Sequence, residues 1–192
     1  MRKVLNENFF NRDTKTVAQE LLGKFLVRRI GKRDITVMIT QTEAYDGLRD
    51  KASHASKGKT KRTQVMFGQP GVFYVYLVYG MHYMLNVVTR APGYPAAVLI
   101  RGVSFTNSIE LVNEKNMGKA AKKDFLNGPA KLTKFLQINK KLNAEKAQKS
   151  SGLWFEDRGV IIPPRKIKKT ARIGVDYAGP IWSAKKWRFL LY

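Results

Sequence analysis

The stretch Val72-Phe73-Tyr74-Val75-Tyr76-Leu77-Val78-Tyr79-Gly80-Met81-His82-Tyr83-Met84-Leu85-Asn86-Val87-Val88-Thr89-Arg90 sets two runs of β-branched and aromatic residues around one glycine. Such residues fit a pleated, half-buried surface, so 72–79 and 82–90 read as the arms of an antiparallel hairpin. Gly80 at the first central position makes Gly80-Met81 a type II′ turn. That turn pairs Tyr76 with Leu85 and sets Asn86 opposite Val75, on the other sheet face from Tyr76. A bulge or a wider turn would shift that register and return Asn86 to the Tyr76 face.

More strands are expected on both sides. Residues 25–30 and 35–41 read as strands joined by a turn at Gly31-Lys32-Arg33-Asp34, and 96–103 as another, entered through Ala91-Pro92-Gly93-Tyr94-Pro95. Asp13 is placed to cap a short helix with an apolar stripe at Val17, Ala18, Leu21 and Leu22, closed by Gly23. Helical patterning recurs over 106–114 and 129–138, with Pro129 at a first helical position. The polar segment 46–70 is a long loop of the kind that carries function. Short strands are expected at 160–162, 172–175 and 187–191. No internal repeat or long linker interrupts 1–192. The expected fold is a single α+β domain: a central, mostly antiparallel curved sheet, flanking helices and a protruding β-hairpin.

Thirty-six Lys and Arg against 14 Asp and Glu leave a net charge of +22. Self-repulsion of that size points to a polyanionic partner, nucleic acid before an anionic membrane surface. Basic clusters at Lys57, Lys59, Lys61 and Arg62, at Arg165, Lys166, Lys168, Lys169 and Arg172, and at Lys185, Lys186 and Arg188 suit a phosphate-contacting surface that positions without specifying sequence. No cysteine is present, which excludes disulfides, zinc fingers and thiol nucleophiles. The first ten residues lack the apolar core of a secretory signal, and no run is long enough to span a membrane. A soluble intracellular protein is expected.

Few residues suit chemistry. Glu43, in Thr42-Glu43-Ala44-Tyr45, falls where a β-rich run meets the long loop; held partly desolvated, such a carboxylate acts as a general base, and otherwise it is a solvated strand terminus. Arg101 closes an apolar run and is placed to meet either Glu43 or a phosphate. Two histidines, His54 and His82, make a poor metal site, so metallohydrolase chemistry is not expected. Tyr79, Met81 and His82 cluster at the hairpin tip. On a basic protein an apolar, aromatic tip can wedge between base pairs, although a tyrosine-rich strand also serves as core. Asn86, if buried, needs a partner, either a base edge or a neighbouring backbone.

Taken together, Leu21-Leu22-Gly23-Lys24, Thr42-Glu43-Ala44-Tyr45, Ser53-His54, Met66-Phe67, the Tyr74-to-Met81 hairpin, Leu99-Ile100-Arg101, Gly128-Pro129-Ala130-Lys131-Leu132 and Arg172-Ile173-Gly174-Val175 resemble the alkyladenine (3-methyladenine) DNA glycosylases, in family order and over most of the chain. The hairpin and the Thr-Glu-Ala-Tyr segment are specific as a pair, and 141–151 matches nothing in the family. The resemblance implies a monofunctional, cofactor-free and metal-free enzyme acting as a monomer on double-stranded DNA that contains damaged purines. Its class of substrate is 3-methyladenine, hypoxanthine and ethenoadenine. Glu43 would activate the attacking water, held also by Arg101 and the Ile173 carbonyl. Tyr45, His54 and Tyr76 would enclose the flipped base, Asn86 would disfavour guanine, and Tyr79 with Met81 would fill the gap in the stack. The compartment implied is the cytoplasm, at the nucleoid, in a bacterium, or the nucleus in a eukaryote. A non-catalytic basic RNA- or ribosome-associated protein would share the charge but not this pairing of motifs. A formyl-transfer-related, tRNA-binding module is a further alternative, without a one-carbon catalytic domain here.

Overall fold

A computed structural model of the chain describes residues 2–105 and 125–192. In chain order the elements are β1 (Lys3–Val4), α1 (Glu7–Phe10), α2 (Thr14–Glu20), β2 (Phe25–Ile30), β3 (Arg33–Asp46), β4 (Phe73–Val78), β5 (His82–Val88), β6 (Ala96–Ser104), β7 (Phe125–Asn127), α3 (Pro129–Phe135), β8 (Leu153–Asp157), β9 (Ile167–Thr170), α4 (Gly179–Ser183) and β10 (Arg188–Leu191). Among the described residues every strand pairing is antiparallel. The strands follow the order β1-β8-β2-β3-β6-β5-β4, with β10 bridging β3 and β9, and β7 on β6. This is the expected α+β arrangement, and the core holds Phe10, Phe25, Phe73 and Phe155 together with Val17 and Ala18 of α2 and Leu21 just after it.

The fold turns on β3, which is longer than its hydrophobic pattern suggests. The turn before it is only Gly31-Lys32, with Ile30 opposite Arg33, and the strand continues through Asp46. Its first half pairs with β2, and its second half lies between β6 and β10. A strand bonded on both edges continues through polar residues because its backbone groups are satisfied by neighbours, whatever the side chains. Glu43 therefore stands inside a central strand, opposite Leu99 and Arg188, and not at a strand end.

Two compensating irregularities break the β3–β6 register. Ile39 pairs with Val103, Gln41 with Gly102 and Thr42 with Ile100, which leaves Thr40 extra on β3 and Arg101 extra on β6. A bulge of this kind re-aims a side chain, and here the bulged residue is Arg101.

The hairpin register differs from the type II′ expectation. Tyr74 pairs with Asn86, Tyr76 with Met84 and Val78 with His82, so the loop is Tyr79-Gly80-Met81. Tyr79 and Gly80 have φ of 53° and 69°, and the Met81 N–H reaches the Val78 carbonyl at 3.2 Å. Both central residues sit at positive φ, as in a type I′ turn, and Met81 is an added residue. The single-residue shift moves Asn86 onto the Tyr74 and Tyr76 face.

The Asp13 cap forms as expected, its carboxylate accepting from the Lys15 and Thr16 amides, which contributes about 1 kcal/mol to so short a helix. Gly23 follows at φ +80°. α3 braces the hairpin, with the Thr133 hydroxyl donating to the Tyr83 carbonyl at 2.8 Å. Residues 160–162 and 172–175 are not strands, because neither segment finds a ladder partner; 187–191 contains β10, and β1, β7, β8 and β9 carry too little alternation to be seen beforehand. The expected helix over 106–114 lies outside the described residues. No helix among the described residues is long and apolar enough to cross a membrane.

Candidate active site

The second half of β3 presents Glu43 and Tyr45 on one face, two residues apart. The Glu43 side chain is completely buried. Its Oε1 accepts from the Ile173 N–H at 2.9 Å and lies 3.4 Å from Arg101 Nη1, while Oε2 accepts from the Tyr45 hydroxyl at 2.8 Å. Burial, and then the Glu43 charge, push the Tyr45 phenol well above its ordinary pKa, so it stays protonated and donates. A carboxylate offers about four lone-pair sites; hydrogen bonds use two, one on each oxygen, Oε1 also faces the Arg101 charge, and one site on Oε2 is left.

Beside this carboxylate is a cavity of about 430 Å³ lined by Tyr45, His54, Tyr76, Asn86, Arg101 and Ile173, with Arg62 and Tyr177 also on its wall. Its volume falls within the usual range of ligand sites. Glu43 itself lies just behind the lining, screened by Ile173 and Tyr45, which hydrogen-bond it, and by its ion-pair partner Arg101.

The aromatic wall is a linked set. The His54 ring packs edge-on against Tyr76, centroids 4.6 Å apart, and its Nδ1 lies 3.1 Å from the Tyr74 hydroxyl. Burial, then Arg62 and Lys57, lower the His54 pKa to about 4, so its imidazole is neutral at ordinary pH. Arg62 stands 4.9 Å over the Tyr76 ring. His54 reaches this place because Ser53 caps a short turn, accepting from the Ala55 amide. Asn86 is buried, and its Nδ2 donates to the Tyr74 carbonyl at 3.0 Å: its partner is the cross-strand backbone.

Tyr79 and Met81 project at the hairpin tip, 89% and 70% exposed, and Tyr79 reaches the rim of the same cavity. His82 is exposed beside them. The structure thus gathers Glu43, Tyr45, His54, Tyr76, Asn86, Arg101 and Ile173 at one place, with Tyr79 and Met81 at its edge. The Ile173 contact to Glu43 is made by its N–H.

Three features escaped the sequence. Arg172 is not part of a basic surface: its guanidinium is buried and bidentate on Asp50, at 2.6 and 2.8 Å. Arg62 lies on the wall of the cavity. Tyr177, whose hydroxyl donates to the Ala52 carbonyl, lies on the same wall. Asp50 alone left a trace, as an acidic residue within a cation-rich loop.

Residues 8–192 match the family model described as methylpurine-DNA glycosylase. A protein of Methanocella arvoryzae named "Putative 3-methyladenine DNA glycosylase" is 44% identical over 97% of this chain and 91% of its own length. Proteins with the same name from Clostridium perfringens (strain 13) and Desulfitobacterium hafniense are 42% and 43% identical, over 91% and 98% of this chain and 89% and 95% of theirs. A family match of that extent, over a fold that assembles one carboxylate and an aromatic cavity, places this chain in the methylpurine-DNA glycosylase family, DNA repair enzymes that hydrolyse N-glycosyl bonds.

Proposed function

We propose that this chain removes alkylated and deaminated purines, of the 3-methyladenine, hypoxanthine and ethenoadenine class, from double-stranded DNA. It does so as a monomer and without a cofactor, by turning the damaged nucleotide out of the helix. The observation that carries this reading is the buried Glu43 carboxylate behind an aromatic cavity whose rim bears an exposed Tyr79. A base inside a duplex is unreachable, and extruding it costs a few kcal/mol, less where a lesion pairs weakly. Tyr79 and Met81 fill the space it leaves. Tyr45, His54 and Tyr76 enclose the base, and Asn86 narrows the wall beside it.

Cleavage of the glycosidic bond builds positive charge on the sugar. The Glu43 carboxylate stabilises that charge and takes a proton from water through its remaining Oε2 lone pair, with Arg101 and Ile173 holding the water and the carboxylate. Because Glu43 is screened, water reaches it only when a lining side chain gives way on substrate entry. A neutral His54 adds no positive charge to the wall against a cationic lesion. Action on cellular DNA places the protein at the nucleoid of a bacterium, or in the nucleus of a eukaryote.

The reading is tested by incubating the protein with duplexes that each carry one of these lesions and cleaving abasic sites with alkali. Release of 3-methyladenine is expected. Binding of lesion duplex and RNA alike with no base released would favour the non-catalytic alternative.

A further inference from the structure

We infer that the buried Arg172–Asp50 ion pair is a positioning device that sets the Glu43 carboxylate, an inference resting on the glycosylase reading above. Both side chains are wholly excluded from solvent. Arg172 also donates to the Ala44 carbonyl at 2.9 Å and the Trp182 carbonyl at 3.3 Å, and its guanidinium carbon lies 4.8 Å from the Tyr45 ring centroid and 5.0 Å from that of Trp187. Asp50 in turn accepts from the Asp46 and Ala52 amides.

These contacts converge on Glu43 from two sides. Arg172 precedes Ile173, whose amide holds Oε1, and it braces the ring of Tyr45, whose hydroxyl holds Oε2. Its bond to Ala44 ties the 171–174 segment, which has no strand partner of its own, to the backbone between Glu43 and Tyr45. Stability alone explains the pair poorly. Buried ion pairs are often replaceable by apolar residues without loss, and the Arg172 Nε finds no protein acceptor. What an apolar replacement lacks is a planar fork that stacks on rings and reaches a carboxylate and a carbonyl at once.

The test compares Arg172→Lys, Asp50→Asn and the neutral combination of Arg172→Met with Asp50→Asn, which keeps an acceptor oxygen for one of the two amides. Lesion-duplex affinity and single-turnover excision are measured together, with thermal melting as a check of folding. Expected is affinity within about threefold of wild type and excision slower by about 30- to 100-fold in the folded variants, the scale of a misplaced catalytic group. In a cycle with Tyr45→Phe, the Arg172→Lys loss shrinks markedly, since the two substitutions act on one contact; a purely structural role leaves it undiminished. Folded variants that excise within threefold of wild type, equal losses in both backgrounds, or failure of all three to fold would each overturn the positioning role. If wild-type protein excises nothing, the glycosylase reading fails first and this inference with it.

Discussion

Glu43 is the only carboxylate that meets the cavity's polar lining through Ile173, Arg101 and Tyr45 together among the described residues. Glutamine keeps its volume and one acceptor oxygen but removes the charge. Glu43→Gln is therefore expected to bind lesion duplex within a few-fold of wild type and to lose excision by a factor on the order of 1,000 or more, since base and charge stabiliser are one group. Near-normal single-turnover excision by this variant would remove Glu43 from the mechanism. His54 gives a second prediction. Burial, Arg62 and Lys57 hold its folded pKa at about 4, below its ordinary 6.5. The unfolded chain thus takes up a proton first as pH falls, so stability present above pH 6.5 is lost progressively towards pH 4. The melting temperature should drop across that window and drop less in His54→Gln; an NMR titration of the ring with a midpoint near 6.5 would contradict the burial argument.

At the scale of the element, the hairpin and the bulge do the aiming. Tyr79 holds a positive φ that costs a non-glycine residue on the order of 1 kcal/mol, and it exposes almost its whole ring. An uncommon backbone conformation with an exposed aromatic suits a residue kept for contact with a partner. Tyr79→Ala is expected to leave the fold and the pocket intact while lowering the flipped fraction about tenfold, about 1.4 kcal/mol, within the few kcal/mol that unstacking costs. A fluorescent base analogue opposite a weak pair reads this directly, and an unchanged signal would deny the wedge. The three-residue loop also resolves the conflict between Tyr76 and Asn86. Pairing Tyr74 with Asn86 returns both cavity residues to one face, as the alternation of side chains requires.

For the whole molecule, the net charge of +22 predicts strong salt dependence. If the flanking duplex meets six to ten cationic side chains, affinity falls roughly 1,000- to 100,000-fold between about 50 and 200 mM salt. The exposed Lys168 and Lys169 on β9, which continues the β3–β10 ladder beyond Glu43, are candidates for part of that slope. Replacing both with Gln should lower the slope of log K against log salt by about 2 without changing lesion preference. A slope unaltered in the double variant would place the duplex elsewhere.

Much of this was legible in the chain itself. Alternating aromatic and β-branched residues specify strands because the side-chain period is a property of the backbone, Asp13 caps because its carboxylate reaches its own helix's amides, and the charge excess names a polyanion. The motifs around Glu43, His54 and Tyr76 marked the residues that the fold later brought together. Three things came only from the tertiary structure. The hairpin register depends on where one residue bulges, and either turn satisfies the local pattern. β3 extends past its hydrophobic run because β6 and β10 hold its two edges. Arg172 leaves the surface because Asp50, 122 positions away in sequence, waits for it in the interior. Long-range partners of this kind decide whether a charge is solvated or buried, and no local spacing encodes them.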